Sequence, residues 1–155
     1  MKLIKIQIHN FLSIGDAVVP LSKFKGISVI QGVNRDSNPI SSNGAGKSAI
    51  IEAIVMALFG RTIRKTRESS IIRNGAKSCL VCLTIDFGGK KVYIERGRKP
   101  SKLLLTIDGV DVARESALET QKYLEDYLNI DFTTFTTAIM FGQRNATNFI
   151  TSNPT

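Results

Sequence analysis

The chain has 155 residues, 43% of them hydrophobic, and a mean hydropathy of +0.03. This composition predicts one globular, soluble domain, and the absence of any apolar run of membrane length excludes a transmembrane helix and a signal peptide. The net charge of +8 favours an acidic partner such as nucleic acid over an acidic small molecule, although a solvated basic surface has the same charge.

Three strands are predicted before residue 33. Leu3–Phe11 alternates apolar and polar residues, and Asp16–Leu21 is a second strand whose Pro20 suggests the edge of a sheet. The β-branched run at 26–32 has the composition of a buried central strand. His9, the only histidine, lies within the first strand, and we interpret it as structural.

A glycine-rich segment links the third predicted strand to a predicted helix. It has the sequence Ser42-Asn43-Gly44-Ala45-Gly46-Lys47-Ser48, and it is followed by an apolar helical run at 49–59 with Gly60 as its C-cap. Such a strand, loop and helix unit directs backbone amides and a helix N-terminus at a polyphosphate. Lys47 is expected to bridge the β- and γ-phosphates of ATP, and the Ser48 hydroxyl to ligate Mg²⁺.

The segment departs from the full phosphate-loop pattern at one position. The first glycine of that pattern is replaced by Ser41, and the polar stretch Arg35–Ser42 stands between strand and loop. We interpret this stretch as a short insertion, since Pro39 and its polar residues suit an irregular path.

The segment 61–77 is strongly basic. It has neither helical nor strand periodicity at 61–67, which predicts a loop, with a short helix possible at 68–72. A basic loop beside a nucleotide site suits DNA contact, and a solvated loop fits equally well. The candidate DNA contacts are Arg61, Arg64, Lys65 and Arg67.

Antiparallel strands and two helices follow. The strands are predicted at 79–87, 90–96, 103–107 and 110–112, with Gly-Gly and Asp-Gly hairpin turns. An amphipathic helix is predicted at 116–128, with Leu118, Gln121, Leu124 and Leu128 in register, and a second helix at 132–140. Asp86 and Asp108 follow apolar runs as the acidic residue of an ATPase does, but their hairpin positions favour a structural role.

The only two cysteines are Cys79 and Cys82, within one predicted strand. Residues three apart on a strand point to opposite faces, which opposes both a shared metal and a redox pair. We therefore interpret both as reduced thiols of a cytosolic protein.

Several motifs together resemble one protein family. They are Asn10–Ser13, Asn43–Ser48, Ile51–Ile54, Leu58–Arg61 and Phe141–Gln143. In this order the sequence resembles the N-terminal half of SbcC-type ATPases, which are SMC-like, ABC-class DNA double-strand-break repair proteins, and the related recombination endonuclease subunits of large tailed bacteriophages.

The resemblance implies a fold class and a set of site residues. The fold is α/β, a P-loop NTPase of the ABC class, with residues 1–155 forming the N-terminal lobe of the ATPase head together with a mixed or antiparallel β segment. Gln143 is implied to be the glutamine that ligates Mg²⁺ and senses the γ-phosphate, a catalytic role shared with Lys47. The implied nucleotide-binding residues are Asn43, Gly44, Ala45, Gly46, Lys47, Ser48 and Ala49, with Ile72, Arg73 and Asn74 near the base.

The resemblance also implies partners. Relatives hold their signature and acidic motifs in a C-terminal lobe that is reached through a coiled coil. Neither the signature motif nor the heptads of a coiled coil occur in this sequence, so we expect a fragment of a larger protein. Its expected partners are the C-terminal lobe of the same protein, a second copy in an ATP-dependent head dimer, an SbcD-type nuclease subunit and double-stranded DNA. The expected location is the bacterial cytoplasm or a phage-infected host. Many relatives contact ATP through an arginine at the position of Leu12, and this contact is absent here.

Two other functions remain open on the sequence. One is the nucleotide-binding domain of an ABC transporter, which shares the phosphate and glutamine loops. The other is a non-hydrolysing, nucleotide-dependent DNA-binding module. A small-molecule kinase fits less well, because the β-rich segment 79–112 replaces the expected alternation of strands and helices.

Overall fold

The computed structural model describes residues 1–31, 46–64 and 68–139. Its strands are β1 (Lys2–Phe11), β2 (Ile14–Val19), β3 (Cys79–Phe87), β4 (Lys90–Arg98), β5 (Lys102–Ile107) and β6 (Val110–Asp111). Its helices are α1 (Lys47–Phe59), α2 (Glu68–Ile71), α3 (Ala117–Leu128) and α4 (Phe132–Thr134), and α4 continues into a π-helical turn at Phe135–Ile139. A 3₁₀ turn covers Leu21–Lys23.

The six strands form one antiparallel sheet in the order β2-β1-β3-β4-β5-β6. β2 lies at an edge, as Pro20 predicted. The two hairpin turns form where they were predicted, and Gly88, Gly89 and Gly109 all have positive φ values there. Asp86 accepts a hydrogen bond from the turn amide of Gly89 at 3.1 Å, and Asp108 accepts one from the amide of Lys91 on β4 at 2.8 Å, which agrees with their predicted structural role.

The core lies between the inner face of the sheet and two helices. α1 packs on β1, β3 and β4, while α3 packs against β5 and α1. Alternate residues of the strands supply the buried face, including Ile6, Leu83, Ile94 and Leu105. α1 is buried along most of its length, as its apolar composition predicts for a central helix. In the described part of the chain, every helix falls short of the length and apolar character that crossing a membrane requires.

The C-terminus of α1 is held by side chains from the sheet and from α3. Gly60 ends the helix in the left-handed conformation, with φ of +71°, as predicted for the C-cap. Three side chains donate hydrogen bonds to the last carbonyls. These bonds run from Arg96 Nε to Ala57 (3.1 Å), from Gln121 Nε2 to Leu58 (3.0 Å) and from Arg98 Nη2 to Gly60 (2.7 Å). The partial negative charge at this end of the helix dipole also favours these cations.

The Gly60→Ala variant is expected to lower the free energy of unfolding by about 2 kcal/mol. A Cβ at Gly60 would lie 2.8 Å from Arg96 Nη1, in addition to the strain of its positive φ. Gly89→Ala is the matched control, because Gly89 has a φ of +79° and no heavy atom within 4 Å of the added Cβ. Thermal unfolding should show a larger loss for Gly60→Ala than for Gly89→Ala; equal losses would contradict a role for the Arg96 contact.

The amphipathic helix is confirmed as α3, but its predicted apolar face is wrong at one position. Ser116 caps the helix in a reciprocal capping box with Glu119. The buried stripe is Thr120, Leu124 and Leu128, spaced four residues apart, and Leu118 is 80% exposed. Leu118 lies in the first turn of α3, and no other described element covers its side chain.

The predicted central strand at 26–32 does not form within the described chain. Residues 26–31 belong to no strand, and Ile27 and Val29 are 99% and 78% exposed. A β-branched run becomes a strand only when a neighbour pairs with its backbone. None of the six described strands pairs with this segment.

The two cysteines occupy opposite faces of β3, as predicted. Cys79 is buried in the core, whereas Cys82 lies on the other face, where its Sγ is 3.9 Å from Glu95 Oε2. Both are free thiols, and burial raises the pKa of each. Within the described ranges, no cluster of three or more His, Cys, Asp or Glu side chains could hold a metal.

Candidate functional site

The N-terminus of α1 forms the centre of the candidate site. Gly46 precedes the helix in the left-handed conformation, with φ of +78°, which favours glycine. Lys47 is the first helical residue, and Ser48 follows it on the exposed side. The first turn contains no acidic residue, so the positive end of the helix dipole there favours an anion.

The turn between β1 and β2 packs directly against this helix start. A Cβ added to Gly46 would lie 3.4 Å from Ser13 Oγ and 3.5 Å from Ile14 Cγ1. Leu12, in the same turn, has a φ of +50°, which is uncommon for a residue with a large side chain. The turn therefore supports the last glycine of the glycine-rich segment.

The segment after α2 is tied to the end of β1. Leu12 N–H donates to the Ile71 carbonyl, and Arg73 N–H donates to the Asn10 carbonyl, both at 2.8 Å. Phe11 and Ile72 form an isolated antiparallel bridge between these two bonds. This short pairing brings 72–74 to the same end of the sheet as the start of α1.

These elements enclose an open cleft of about 880 Å³. Five of the predicted nucleotide-binding residues line it together: Ser48, Ala49, Ile72, Arg73 and Asn74. Four basic side chains also line it, namely Arg64, Arg73, Lys77 and Lys99. Among the described residues that line the cleft there is no carboxylate, which suits a polyanionic ligand.

A buried carboxylate on α1 connects the helix with one of these cations. Glu52 is only 3% exposed, and its Oε2 accepts a hydrogen bond from Ile63 N–H at 2.7 Å. Its Oε1 lies 3.4 Å from Arg64 Nε. Sequence reasoning used Glu52 only as part of a motif, yet a glutamate within an apolar helical run is a signal that a partner exists.

The candidate DNA contacts are separated by the structure. Arg64 lines the cleft, whereas the Arg61 guanidinium lies 3.8 Å from the centroid of the Phe132 ring, a cation–π contact outside the cleft. Lys65 and Arg67 lie outside the described residues, as do Asn43, Gly44, Ala45 and Gln143. Lys99, which sequence reasoning did not select, reaches the cleft from the end of β4.

The oxygen donor of Ser48 fits the predicted Mg²⁺ role. Magnesium is commonly held by one or two protein oxygens together with substrate phosphates. Ser48 supplies such an oxygen at a helix start that favours phosphate. The second predicted ligand, Gln143, lies outside the described residues.

The chain is similar in sequence to several DNA-processing proteins. It is 29% identical over 152 residues to exonuclease subunit 2 of Escherichia phage RB69, covering 96% of this chain and 25% of the relative. It is 31% identical over 115 residues to the SbcC component of the SbcCD nuclease of Deinococcus radiodurans, covering 67% and 13%. It is 32% identical over 151 residues to the DNA double-strand break repair Rad50 ATPase of Methanococcus maripaludis, covering 96% and 14%.

The chain therefore spans a quarter or less of the length of these relatives. The sequence resemblance to SbcC-type ATPases and phage exonuclease subunits is confirmed by these similarities.

The fold matches that of SMC ATPase heads. A solved structure from work on ATP-driven dimerization and DNA-stimulated activation of SMC ATPases matches with a TM-score of 0.69 and 22% identity, covering 99% of this chain and 93% of the other. This structural match confirms the predicted fold class, an ABC-class α/β P-loop lobe. A family model described as an AAA domain matches residues 5–155, and the chain belongs to this family of AAA-domain proteins.

Proposed function

We propose that residues 1–155 form the N-terminal, ATP-binding lobe of the head of a DNA repair ATPase. The observation that carries the proposal is the cleft beside Ser48, because it joins the helix start after the glycine-rich segment to Arg73, Lys77 and Lys99. Arg64 lines the same cleft and also pairs with Glu52. Such a surface suits the phosphates of a nucleotide. Membership of the AAA-domain family and the similarity to a Rad50 ATPase support ATP as that nucleotide.

Each predicted residue has a role in this proposal. Lys47 neutralises the β- and γ-phosphates, and the amides of 43–49 donate hydrogen bonds to them. Ser48 and Gln143 hold Mg²⁺, which supplies charge neutralisation at the transferred phosphoryl group when bound. Ile72 and Asn74 border the base end of the cleft.

The rest of the head comes from other polypeptide segments. The exposed Ile27 and Val29 support this view, since their β-branched side chains suit a strand that pairs with a sheet outside the described chain. A C-terminal lobe of the same protein is the proposed neighbour. A second copy then closes over the γ-phosphate, and hydrolysis releases the two heads.

Double-stranded DNA and a nuclease subunit are the proposed macromolecular partners. The names of the phage and SbcC relatives support a nuclease complex, and the charge of +8 supports binding to phosphates of DNA. Arg61, together with Lys65 and Arg67, remains a candidate for that contact. Arg64 is assigned to the nucleotide cleft in preference to DNA, because it lines that cleft. A cytoplasmic location belongs to the same proposal.

The test is the ATPase rate of the complete gene product with and without linear double-stranded DNA. We expect DNA to stimulate turnover, and we expect the Lys47→Ala variant to abolish both basal and stimulated rates. The 155-residue chain alone is expected to be inactive, since the γ-phosphate site is completed by a second lobe.

The possible results separate the competing functions. Lys47-dependent turnover that is indifferent to DNA would contradict a repair role and favour a transporter-like nucleotide-binding domain. Nucleotide binding without turnover in the complete gene product would contradict hydrolysis and favour a nucleotide-dependent binding module.

A further inference from the structure

We propose that Arg73 contacts the phosphate chain of the bound nucleotide, and that residue 15 is glycine because a side chain there would displace the Arg73 guanidinium. The inference rests on the function proposed above. It changes the role of Arg73, since the sequence resemblance places residues 72–74 near the base.

The backbone of Arg73 is held on both sides. Its N–H donates to the Asn10 carbonyl at 2.8 Å, and its carbonyl accepts from Ala76 N–H at 2.9 Å. The first bond fixes Arg73 to the end of β1, and the second closes a turn directly after it. The side chain therefore starts from a defined position at the rim of the cleft.

The Arg73 guanidinium lies across the backbone of Gly15. A Cβ added to Gly15 would be 3.1 Å from Nη1, 3.5 Å from Cζ and 3.9 Å from Nε of Arg73. Gly15 does not have a positive φ, so the conformation of β2 does not itself require glycine. A side chain at this position would therefore require the Arg73 guanidinium to move.

The same short stretch of chain supports the phosphate-binding glycine. Ser13 and Ile14 lie where a Cβ added to Gly46 would meet them, and Arg73 lies where a Cβ added to the next residue, Gly15, would meet it. Arg73 and Ser48 both line the cleft, together with Leu12, which brings no charge. One turn therefore holds the end of the phosphate loop and a guanidinium side by side.

The charge of Arg73 is available to a ligand. In the part of the chain that the structure describes, the ion pairs involve other basic side chains, and no carboxylate lies within ion-pair distance of Arg73. A guanidinium matches phosphate oxygens through two parallel hydrogen bonds, which a base edge does not offer to the same extent.

The experiment measures the affinity of the complete gene product for ATP and for inorganic tripolyphosphate in the presence of Mg²⁺. Tripolyphosphate has the phosphate chain and lacks the base and ribose. We expect Arg73→Ala to lower the affinity for both ligands by the same factor, about 10- to 100-fold. Lys90→Ala, which removes one exposed positive charge at the opposite end of the sheet, is the matched control and should leave both affinities unchanged.

Gly15→Val tests the second half of the proposal. Valine suits a strand but places methyl groups where the guanidinium lies. We expect Gly15→Val to lower the affinity for both ligands as Arg73→Ala does. The double variant should bind no more weakly than Arg73→Ala alone, because both changes remove the same contact. Thermal unfolding checks that the variant folds; if it does not, Arg73→Ala alone decides the phosphate contact.

Three results would overturn the inference. A lower affinity for ATP with an unchanged affinity for tripolyphosphate would place Arg73 at the base. Unchanged affinity for both ligands would mean that Arg73 does not contact the nucleotide. Additive losses in the double variant would mean that Gly15 acts independently of Arg73. The proposed function itself would be contradicted if the wild-type protein bound neither ligand, or if Lys47→Ala bound both as tightly as the wild type.

Discussion

The Lys47→Ala variant is expected to lower ATP affinity by at least about 100-fold while leaving the fold intact. Lys47 is the first residue of α1. In a phosphate loop the lysine at this position reaches the β- and γ-phosphates, and we expect the same of Lys47. Alanine has the highest helix propensity, so the helix start should persist. Isothermal titration calorimetry with ATP and Mg²⁺ measures the affinity.

The fold of this variant is checked by thermal unfolding, in which its midpoint should match that of the wild type. Lys90→Ala again controls for the loss of one positive charge, and its ATP affinity should equal that of the wild type. ATP affinity retained by Lys47→Ala would contradict the assignment of 42–48 as a phosphate loop.

The Arg96→Ala variant is expected to lower the free energy of unfolding by about 3 kcal/mol. Arg96 is 6% exposed, and it bonds both the Ala57 carbonyl at the end of α1 and the Gln121 side chain on α3. Truncation therefore leaves a cavity and removes the donor that joins β4 to two helices. For a chain of this size the loss corresponds to a fall of about 6–12 °C in the melting temperature.

Burial and the nearby Arg98 guanidinium lower the pKa of Arg96 to about 10, so the side chain stays charged at neutral pH. The hydrogen bonds that satisfy this charge are thus the source of the predicted effect. Lys91→Ala is the matched control, because Lys91 is an exposed cation on the same strand. Equal melting temperatures for Arg96→Ala and Lys91→Ala would contradict the role of Arg96 as a helix clamp.

Local patterns predicted several elements within a few residues. The helix after the glycine-rich segment, its Gly60 cap, and the hairpins at Gly88-Gly89 and Asp108-Gly109 all form where the sequence places them. In each case the structure depends on residues close together in the chain, such as a glycine that adopts positive φ or an aspartate that bonds a turn amide. Such short-range interactions are visible in a sequence.

The predicted strand at 26–32 shows the opposite situation. Its β-branched residues indicate a strand that needs a neighbouring strand to pair with, but they do not identify that neighbour. The described chain offers none, so Ile27 remains exposed. Leu118 shows the same limit for helices, since an apolar residue in the first turn of α3 lies on the side that no other described element covers.

The candidate site shows the same contrast between local and distant contacts. The sequence placed Gly46, Lys47 and Ser48 at the start of a helix, and the structure confirms that helix start, although the predicted strand before the loop does not form in the described chain. Their role in binding an anion stays a prediction. The places of Arg64 and Lys99 in the cleft and the contact between Gly15 and Arg73 were not predicted from the residues, because each joins distant parts of the sequence.

The sequence by itself therefore determined the local units of this protein: the glycine-rich segment, the buried helix after it, the hairpins, the capped amphipathic helix and the family to which they belong. Only the tertiary structure decided that β1 lies between β2 and the distant β3, and that Arg96 and Arg98 bind the end of α1. The physical reason is that side-chain periodicity and turn chemistry act within a few residues. Strand order and the reach of an arginine depend instead on how the finished elements pack.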